Sequence, residues 1–421
     1  MKPTTISVFE HQPLKIGEHG FSKDHHQVLE SLLGNQDEKN FSYYTLIPNG
    51  VKFRQFVGVL CVNNLTIEVL PKTDRNNYDK IYWRDKLIFM LSKVYKLDVK
   101  SPSEANQKTR TNSPILDVFI KRFLDEVESI VNRGLVKCYH KDEGNQKALK
   151  GKLLFAKQLR KNYIRQERFY VRYTTYDYEH VMNRILRQAL CVVASATQNA
   201  FFRGRAMSAL FNFPELKELF VSSELFDSLC FDRKTEDYRM AIKLAKMLLL
   251  HRSPSVIGSG EKVLALMFDV NKLWEEFVYH TLRKNLSGYD VSAQVVKRYW
   301  KLNNYNVFKT IRPDVVIKRN GNVAAIIDTK WKCPDRTPSD GDLHQMYVYS
   351  QMFKTDKAVN VALAYPSVNE QSSKICAHFL DTKSSCDMIF LGVHQNNVDW
   401  TKQIAEDIRN WLDGGKTGVD T

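Results

Sequence analysis

The sequence lacks the marks of a small secreted domain, a membrane protein or a nucleotide-hydrolysing motor. Its seven cysteines are odd in number, scattered over 421 residues and never spaced C-x-x-C, so neither a zinc ribbon nor a disulfide framework is indicated. No segment reaches the roughly 18 consecutive apolar residues that a membrane helix needs, and MKPTTISVFEHQPLKIG has no apolar signal-peptide core. A cytoplasmic protein without a membrane partner is expected. The one approach to a phosphate-binding loop, GGKTGVDT, has Asn410 where the motif requires glycine. It reads as a tail, and no nucleotide is expected on this chain itself. Acids are also scarce beside bases: 62 Lys and Arg against 47 Asp and Glu give a formal charge of +15. That excess favours a polyanionic partner, nucleic acid first. A solvated basic surface, or one that docks an acidic protein, is the plain alternative.

The length suggests two or three domains, each able to bury its own core. Residues 1–77 carry strand signals, clearest in FVGVLCVNNLTIEVLPK, where Asn63-Asn64 separates two β-branched runs. The period then turns helical over 78–97 and again from Pro114, tolerated in a first helical turn, to about Gly134. Residues 147–172 hold nine Lys or Arg and one acid, Glu167, interleaved with Phe155, Tyr163, Phe169 and Tyr170. Phosphate neutralisation with aromatic stacking uses such residues, which makes Lys150, Lys152, Arg160, Lys161, Arg165 and Arg168 candidates for contact with DNA or a partner. The competing reading is a solvated strand pair with its aromatics turned inward. Further helices are expected over 176–200 and 234–250, and HRSPSVIGSGEK supplies the best linker signal. The boundaries expected are 1–77, 78–255 and 256–421.

Within the last segment the pattern reads helix (271–286), strand (290–300), strand (308–318), strand (322–332), helix (339–354), strand (358–365) and a closing helix (397–412). That order implies a mixed sheet with helices against it, a mixed α/β (α+β) fold. In IRPDVVIKRNGNVAAIIDTKWK, residues 311–332, three charges interrupt two apolar runs: Asp314, Asp328 and Lys330. Burying those carboxylates uncompensated would cost several kcal/mol. Two carboxylates at adjacent strand ends can instead share a divalent cation, and oxygen ligands suit Mg²⁺ or Mn²⁺ better than zinc.

Strand alternation puts Asp328 and Lys330 on one face, where a lysine can orient or deprotonate water and offset phosphoryl charge. Asp314 has to join them. A strict two-residue Asn320-Gly321 hairpin would set Asp314 opposite Ile327 and leave Asp328 on the wrong side. A three-residue loop or a bulge near Pro313 is therefore expected. An ion pair of Asp328 with Lys332 is the competing explanation of the charges. Upstream, Glu275 in NKLWEEFVYHTL is a candidate third carboxylate, against the reading of an ordinary surface glutamate. Downstream, Gln345 and Tyr349 in DLHQMYVYSQMF lie i and i+4 on one helical face, placed to orient a ligand or simply to pack.

The order of helix, PD, D-x-K and Q-x-x-x-Y resembles the PD-(D/E)XK nucleases, in particular their RecB-like branch. With ALKGKLLFAKQL, YDYEHVMNRILRQAL, FDVNKLWEEFVY and DLHQMYVYSQM added, about residues 80–400 resemble the McrC family, the nuclease subunits of McrBC modification-dependent restriction systems. The resemblance implies a C-terminal restriction-endonuclease-like domain after a β-rich N-terminal and a helical/β middle domain. It implies Mg²⁺-dependent cleavage of modified double-stranded DNA beside a McrB-like AAA+ GTPase hexamer, which this chain would activate. By the same likeness Asp314 and Asp328 match the metal-binding carboxylates, Lys330 the catalytic lysine, and Gln345 and Tyr349 the Q-x-x-x-Y motif. Glu275 falls where only some relatives carry an acid. A standalone RecB-like nuclease, or a mainly non-catalytic adaptor of the GTPase, are the alternatives.

Overall fold

The computed structural model describes residues 4–34, 43–62, 65–72, 79–97, 114–250, 263–302, 307–332, 337–354, 359–367, 372–380, 382, 384–393 and 397–414. The Asn63-Asn64 turn, the polar run before Pro114, the linker HRSPSVIGSGEK and tail residues 415–421 lie outside them. In chain order the first elements are β1 (Thr4–Phe9), β2 (Pro13–Lys15), α1 (Lys23–Gly34), β3 (Tyr44–Ile47), β4 (Gly50–Phe53), β5 (Phe56–Val62), β6 (Leu65–Leu70) and α2 (Lys80–Tyr95). Then come α3 (Pro114–Arg133), β7 (Cys138–Gln146), β8 (Lys152–Leu153), α4 (Phe155–Asn162), β9 (Phe169–Asp177), α5 (Val181–Ala196), α6 (Ala200–Phe211), α7 (Ser223–Asp227) and α8 (Arg239–Leu250). The last group is β10 (Val263–Asp269), α9 (Val270–Asn285), β11 (Asp290–Ala293), β12 (Lys297–Lys301), β13 (Phe308–Ile311), β14 (Val315–Arg319), β15 (Asn322–Thr329), α10 (Asp340–Met352), β16 (Asn360–Ser367), β17 (Ser373–Ile375), β18 (Cys386–Gly392) and α11 (Asn397–Gly414).

These elements form two compact units, Met1–Val118 with Met267–Thr421, and Phe119–Leu266. That differs from three consecutive domains, because the first 77 residues share a unit with the C-terminal segment. The physical reason is a shared aromatic core. Trp331 meets Trp83 and Trp274 edge to face at ring separations of 6.3 and 5.5 Å, and Phe89 of α2 stacks on Trp400 of α11 at 5.9 Å. The Trp331 Nε1–H donates to Glu10 just after β1, at 2.8 Å, and the Tyr82 hydroxyl donates to the Val393 carbonyl at 2.8 Å. Two segments whose apolar faces are completed by the same rings bury them together.

The first unit holds a six-stranded sheet in the order β11-β14-β15-β16-β18-β17. Its pairings are antiparallel at β11/β14, β14/β15 and β17/β18 but parallel at β15/β16 and β16/β18, which makes the mixed sheet expected. α10 is the crossover that β15 needs to run parallel with β16. It starts at Ser339, whose hydroxyl accepts from the Asp342 N–H, an orphan donor of the first turn. α9 starts likewise at Asp269, which accepts from the N–H groups of Asn271 and Lys272. The core under the sheet is Val316, Ile326, Met346, Tyr349, Val361, Leu363 and Tyr365, all buried.

Two expected strands prove to be broken. Residues 290–300 divide into β11 and β12, and 308–318 into β13 and β14, with β12 and β13 forming a separate two-stranded sheet. The first break falls at Gln294, whose φ of 54° lies in the left-handed region and ends the extended run. The second falls at Pro313, which has no N–H to give a ladder.

In the second unit β7, β9 and β8 form a sheet in the order β7-β9-β8, with α4 inserted before β9. The basic run thus folds as a short strand, a helix and a long strand, not as a strand pair. Phe155 and Tyr163 are exposed at 72% and 79%, so they do not turn inward. Among the described residues no helix is long and apolar enough to cross a membrane.

Candidate active site

The β14–β15 hairpin sets the geometry. Asn320 and Gly321 both take positive φ, 52° and 81°, as a two-residue hairpin turn of the I′ kind requires. Arg319 pairs with Asn322 and Lys318 with Val323, but Ile317 then pairs with Ala325, so Ala324 is an extra residue on β15. Beyond it Val316 faces Ile326 and Val315 faces Ile327. This register brings Asp314 level with Asp328, where a regular hairpin would have set it against Ile327. The expected irregularity is present, at Ala324 rather than in the loop or near Pro313. A bulge at that point adds one residue without disturbing the tight turn.

At the strand ends the charges interlock. The N–H and hydroxyl of Thr329 donate to Asp314 Oδ2 at 2.8 and 2.9 Å. Lys330 Nζ lies 2.5 Å from Asp328 Oδ2 and 3.3 Å from Asp342 Oδ1 of α10. Gln345 bridges the same group: its Oε1 accepts from Lys330 Nζ at 3.2 Å, and its Nε2 donates to Asp328 Oδ1 at 3.2 Å and to the Tyr349 hydroxyl at 2.7 Å. Tyr349 in turn donates to the Arg312 carbonyl at 3.3 Å, just ahead of Pro313-Asp314. The i, i+4 pair therefore both packs and orients. Lys332 binds Asp342 at 2.6 Å, so the competing ion pair of Asp328 with Lys332 is not formed, and the lysine beside Asp328 is Lys330. The Lys330 backbone N–H is fixed by the Ala364 carbonyl of β16 at 2.9 Å, and the next side chain, Trp331, is set in the aromatic core.

Burial, and then the charge of Glu275, push the Asp314 carboxyl up from its ordinary range; burial, and then Asp314, do the same to Asp328. Asp328 Oδ2 is buried and accepts no hydrogen bond of acceptable angle, although the lysine stands beside it. Burial opposes the charge of Lys330, but Asp328 and Asp342 outweigh it and hold its ammonium above the ordinary value. In this state Lys330 is a cation, able to orient and to neutralise rather than to take a proton.

Glu275 is half-buried on α9. Burial raises its carboxyl, and the charge of Asp328 adds to the rise. The side chain accepts from Gln294 Nε2, while the Gln294 backbone N–H donates to the Asp314 carbonyl at 3.2 Å and its Oε1 is buried without a hydrogen-bond partner. Sequence reading missed Gln294, Asp342 and Thr329. Thr329 is the middle residue of D-x-K and Asp342 stands three before Gln345, so proximity was a signal for these two; Gln294 left none.

Among the described residues no group of three or more His, Cys, Asp or Glu side chains is arranged to hold a metal ion. Two level carboxylates whose charges repel nevertheless suit a hard divalent cation that keeps several of its waters. Lys150, Lys152, Arg160, Lys161, Arg165 and Arg168 all belong to the second unit and are not part of this cluster. Lys150 lies over the Tyr173 ring at 4.9 Å and Lys161 over Tyr170 at 4.9 Å.

A mixed sheet that presents two acids and a lysine at the end of a bulged hairpin, with a glutamine and a tyrosine from the crossover helix, has the parts of the PD-(D/E)XK pattern. Comparison with known proteins gives the family. A family model described as McrBC 5-methylcytosine restriction system component matches residues 51–366, and the chain belongs to that family. A curated relative, the type IV methyl-directed restriction enzyme EcoKMcrBC of Escherichia coli K12, is 20% identical over 290 residues, 63% of this chain and 81% of the relative. In fold, the chain is similar to a chain of a half-complex from a tetradecameric assembly of Thermococcus gammatolerans McrB AAA+ hexamers with bound McrC. The TM-score is 0.68 at 22% identity, over 97% of this chain and 100% of that one.

Proposed function

We propose that this chain is the metal-dependent DNA endonuclease subunit of a McrBC-like restriction system, and that it works with, and activates, a McrB-like AAA+ GTPase hexamer. The observation that carries the nuclease reading is the bulge at Ala324, which costs a regular ladder and brings Asp314 level with Asp328 beside Lys330. Asp314 and Asp328 would hold Mg²⁺, with Mn²⁺ as a substitute; the bound ion would polarise a phosphodiester and lower the pKa of a water. Thr329 fixes Asp314 and Gln345 fixes both Asp328 and Lys330, so the groups are oriented before DNA arrives. Lys330, a cation held between two acids, places positive charge where the phosphoryl group gains negative charge. Glu275 and Gln294 form a third side of the site, from which a carboxylate can orient water.

Membership of the family supports the partner reading, as does the likeness to a chain seen with McrB hexamers. The second unit exposes Leu149, Phe155, Leu159, Tyr163 and Ile164 amid its bases, an apolar surface of the kind partners cover. The test is cleavage of methylated and unmethylated plasmid with and without Mg²⁺, partner and GTP. Asp314→Ala should abolish cleavage while complex formation and stimulated GTP hydrolysis persist. Cleavage by the variant would refute the site, and loss of assembly would show the charge to be structural.

A further inference from the structure

The two broken strands leave a feature that the site does not use. Among the described residues β12 and β13 pair with each other alone, antiparallel, with a bulge between Arg298 and Trp300. Every residue of β12 is exposed, and Lys309 and Thr310 of β13 are exposed as well. Residues 295–312 contain Lys297, Arg298, Lys301, Lys309 and Arg312 and no acid, where the average of this chain would place about two.

The base of this ribbon is tied down. Val295 and Ile311 pack against the core of the sheet. Lys297 donates to the Met352 carbonyl at the end of α10 and lies over the Phe353 ring at 5.1 Å. Further out, Arg298 and Lys301 flank the Phe308 ring at 4.1 and 5.6 Å on one face. Lys309 pairs with Trp300, and alternation puts these two on the other face. Among the described residues no carboxylate forms a salt bridge with Arg298, Lys301 or Lys309. Both faces of the ribbon thus carry cations without acidic partners. The ribbon leaves the sheet at Gln294, which touches Glu275 and Asp314, and returns at Arg312, whose carbonyl Tyr349 holds two residues before Asp314.

We propose that the β12–β13 ribbon is a duplex-DNA arm, whose Arg298, Lys301 and Lys309 neutralise backbone phosphates flanking the bond to be cut. The proposal rests on the nuclease reading for the position of that bond, but not for binding itself. A two-stranded ribbon fits the major groove, and its cations replace condensed counterions. Because both ends of the ribbon join residues of the site, DNA held by the arm is placed relative to Asp314 without help from the second unit.

The test is duplex DNA binding by the full chain in EDTA over a range of salt, with Arg298→Ala, Lys301→Ala and Lys309→Ala combined. Affinity should fall on the order of 10- to 100-fold, and the slope of log K against log salt should flatten by about 3. Restoring charge with Arg298→Lys, Lys301→Arg and Lys309→Arg should recover the slope. A control removing the exposed lysines Lys15, Lys23 and Lys402 should change it far less. Unchanged affinity and slope in the alanine variant, or a parent that does not bind duplex DNA, would overturn the arm. A parent that binds through the ribbon yet cuts nothing with Mg²⁺, partner and GTP would overturn the nuclease reading and leave the arm standing.

Discussion

Two stretches of this chain are dense in charge, and they are built in opposite ways. In the hairpin, Asp314, Asp328 and Lys330 sit at the buried end of two strands, and each is held by partners from another element. In the run 147–172 the charges stand in solvent on a short strand, a helix, a turn and the start of the long strand β9, and the pairs they make, such as Lys157 with Glu143 at 2.5 Å, are surface pairs. Surface pairs contribute about 0–1 kcal/mol and are screened by salt, whereas buried like charges are costly unless something offsets them. Cost is the difference between the two regions. The hairpin bears an electrostatic penalty that folding alone does not need, while the run bears none, so only the hairpin demands a function for its charges.

That contrast can be broken at the hairpin first. Deleting Val316 from β14, with the extra residue on β15 kept, shortens that strand by one and moves Asp314 to the level of Ile327. Cleavage should be lost and unfolding free energy should drop by roughly 2–4 kcal/mol in denaturant titration. Ala324→Gly, which keeps the residue count, should keep cleavage. A deletion variant that still cuts would mean that the carboxylates need not be level.

A second buried acid sharpens the comparison through pH. Burial pushes the Glu10 carboxyl up to about 7, against weaker lowering by the Lys72 N–H and the Trp331 indole. A folded value above the unfolded 4.5 means that the folded state binds the extra proton. Its contribution is therefore fully present below about pH 4.5 and is lost as pH rises through 7, a change of about 3 kcal/mol. Glu10→Gln should flatten thermal stability over that window, and a profile unchanged by the substitution would contradict the burial argument. The smallest effect belongs to the exposed run. Changing Arg160, Lys161 and Arg165 singly to Ala should move unfolding free energy by no more than about 0.5 kcal/mol each, while weakening capture of the partner or of DNA in a pull-down. A larger stability loss would mean that the run is structural.

Much of the site was legible because its chemistry is local. Asp314, Asp328 and Lys330 contradict their apolar surroundings, and the count of residues across the Asn-Gly turn demanded an irregularity. Gln345 and Tyr349 followed from helical spacing. The position of the bulge was not legible, since an extra residue at Ala324 or near Pro313 gives the same register at the strand ends. Nor was Gln294, whose role depends on a left-handed backbone and a partner on another helix. The helix order and the mixed sheet were readable from periodicity. The grouping into two units was not, because Glu10 and Trp331 meet across 321 residues of sequence, and no local pattern records such a contact.

Whether the level carboxylates hold a cation is tested most directly by titration of the full chain with Mn²⁺, followed by electron paramagnetic resonance. The parent should bind Mn²⁺ in competition with Mg²⁺; Asp314→Ala and Asp328→Ala should each lose that binding, and the Arg160, Lys161 and Arg165 variants should keep it. Undiminished Mn²⁺ binding in both carboxylate variants would contradict the account.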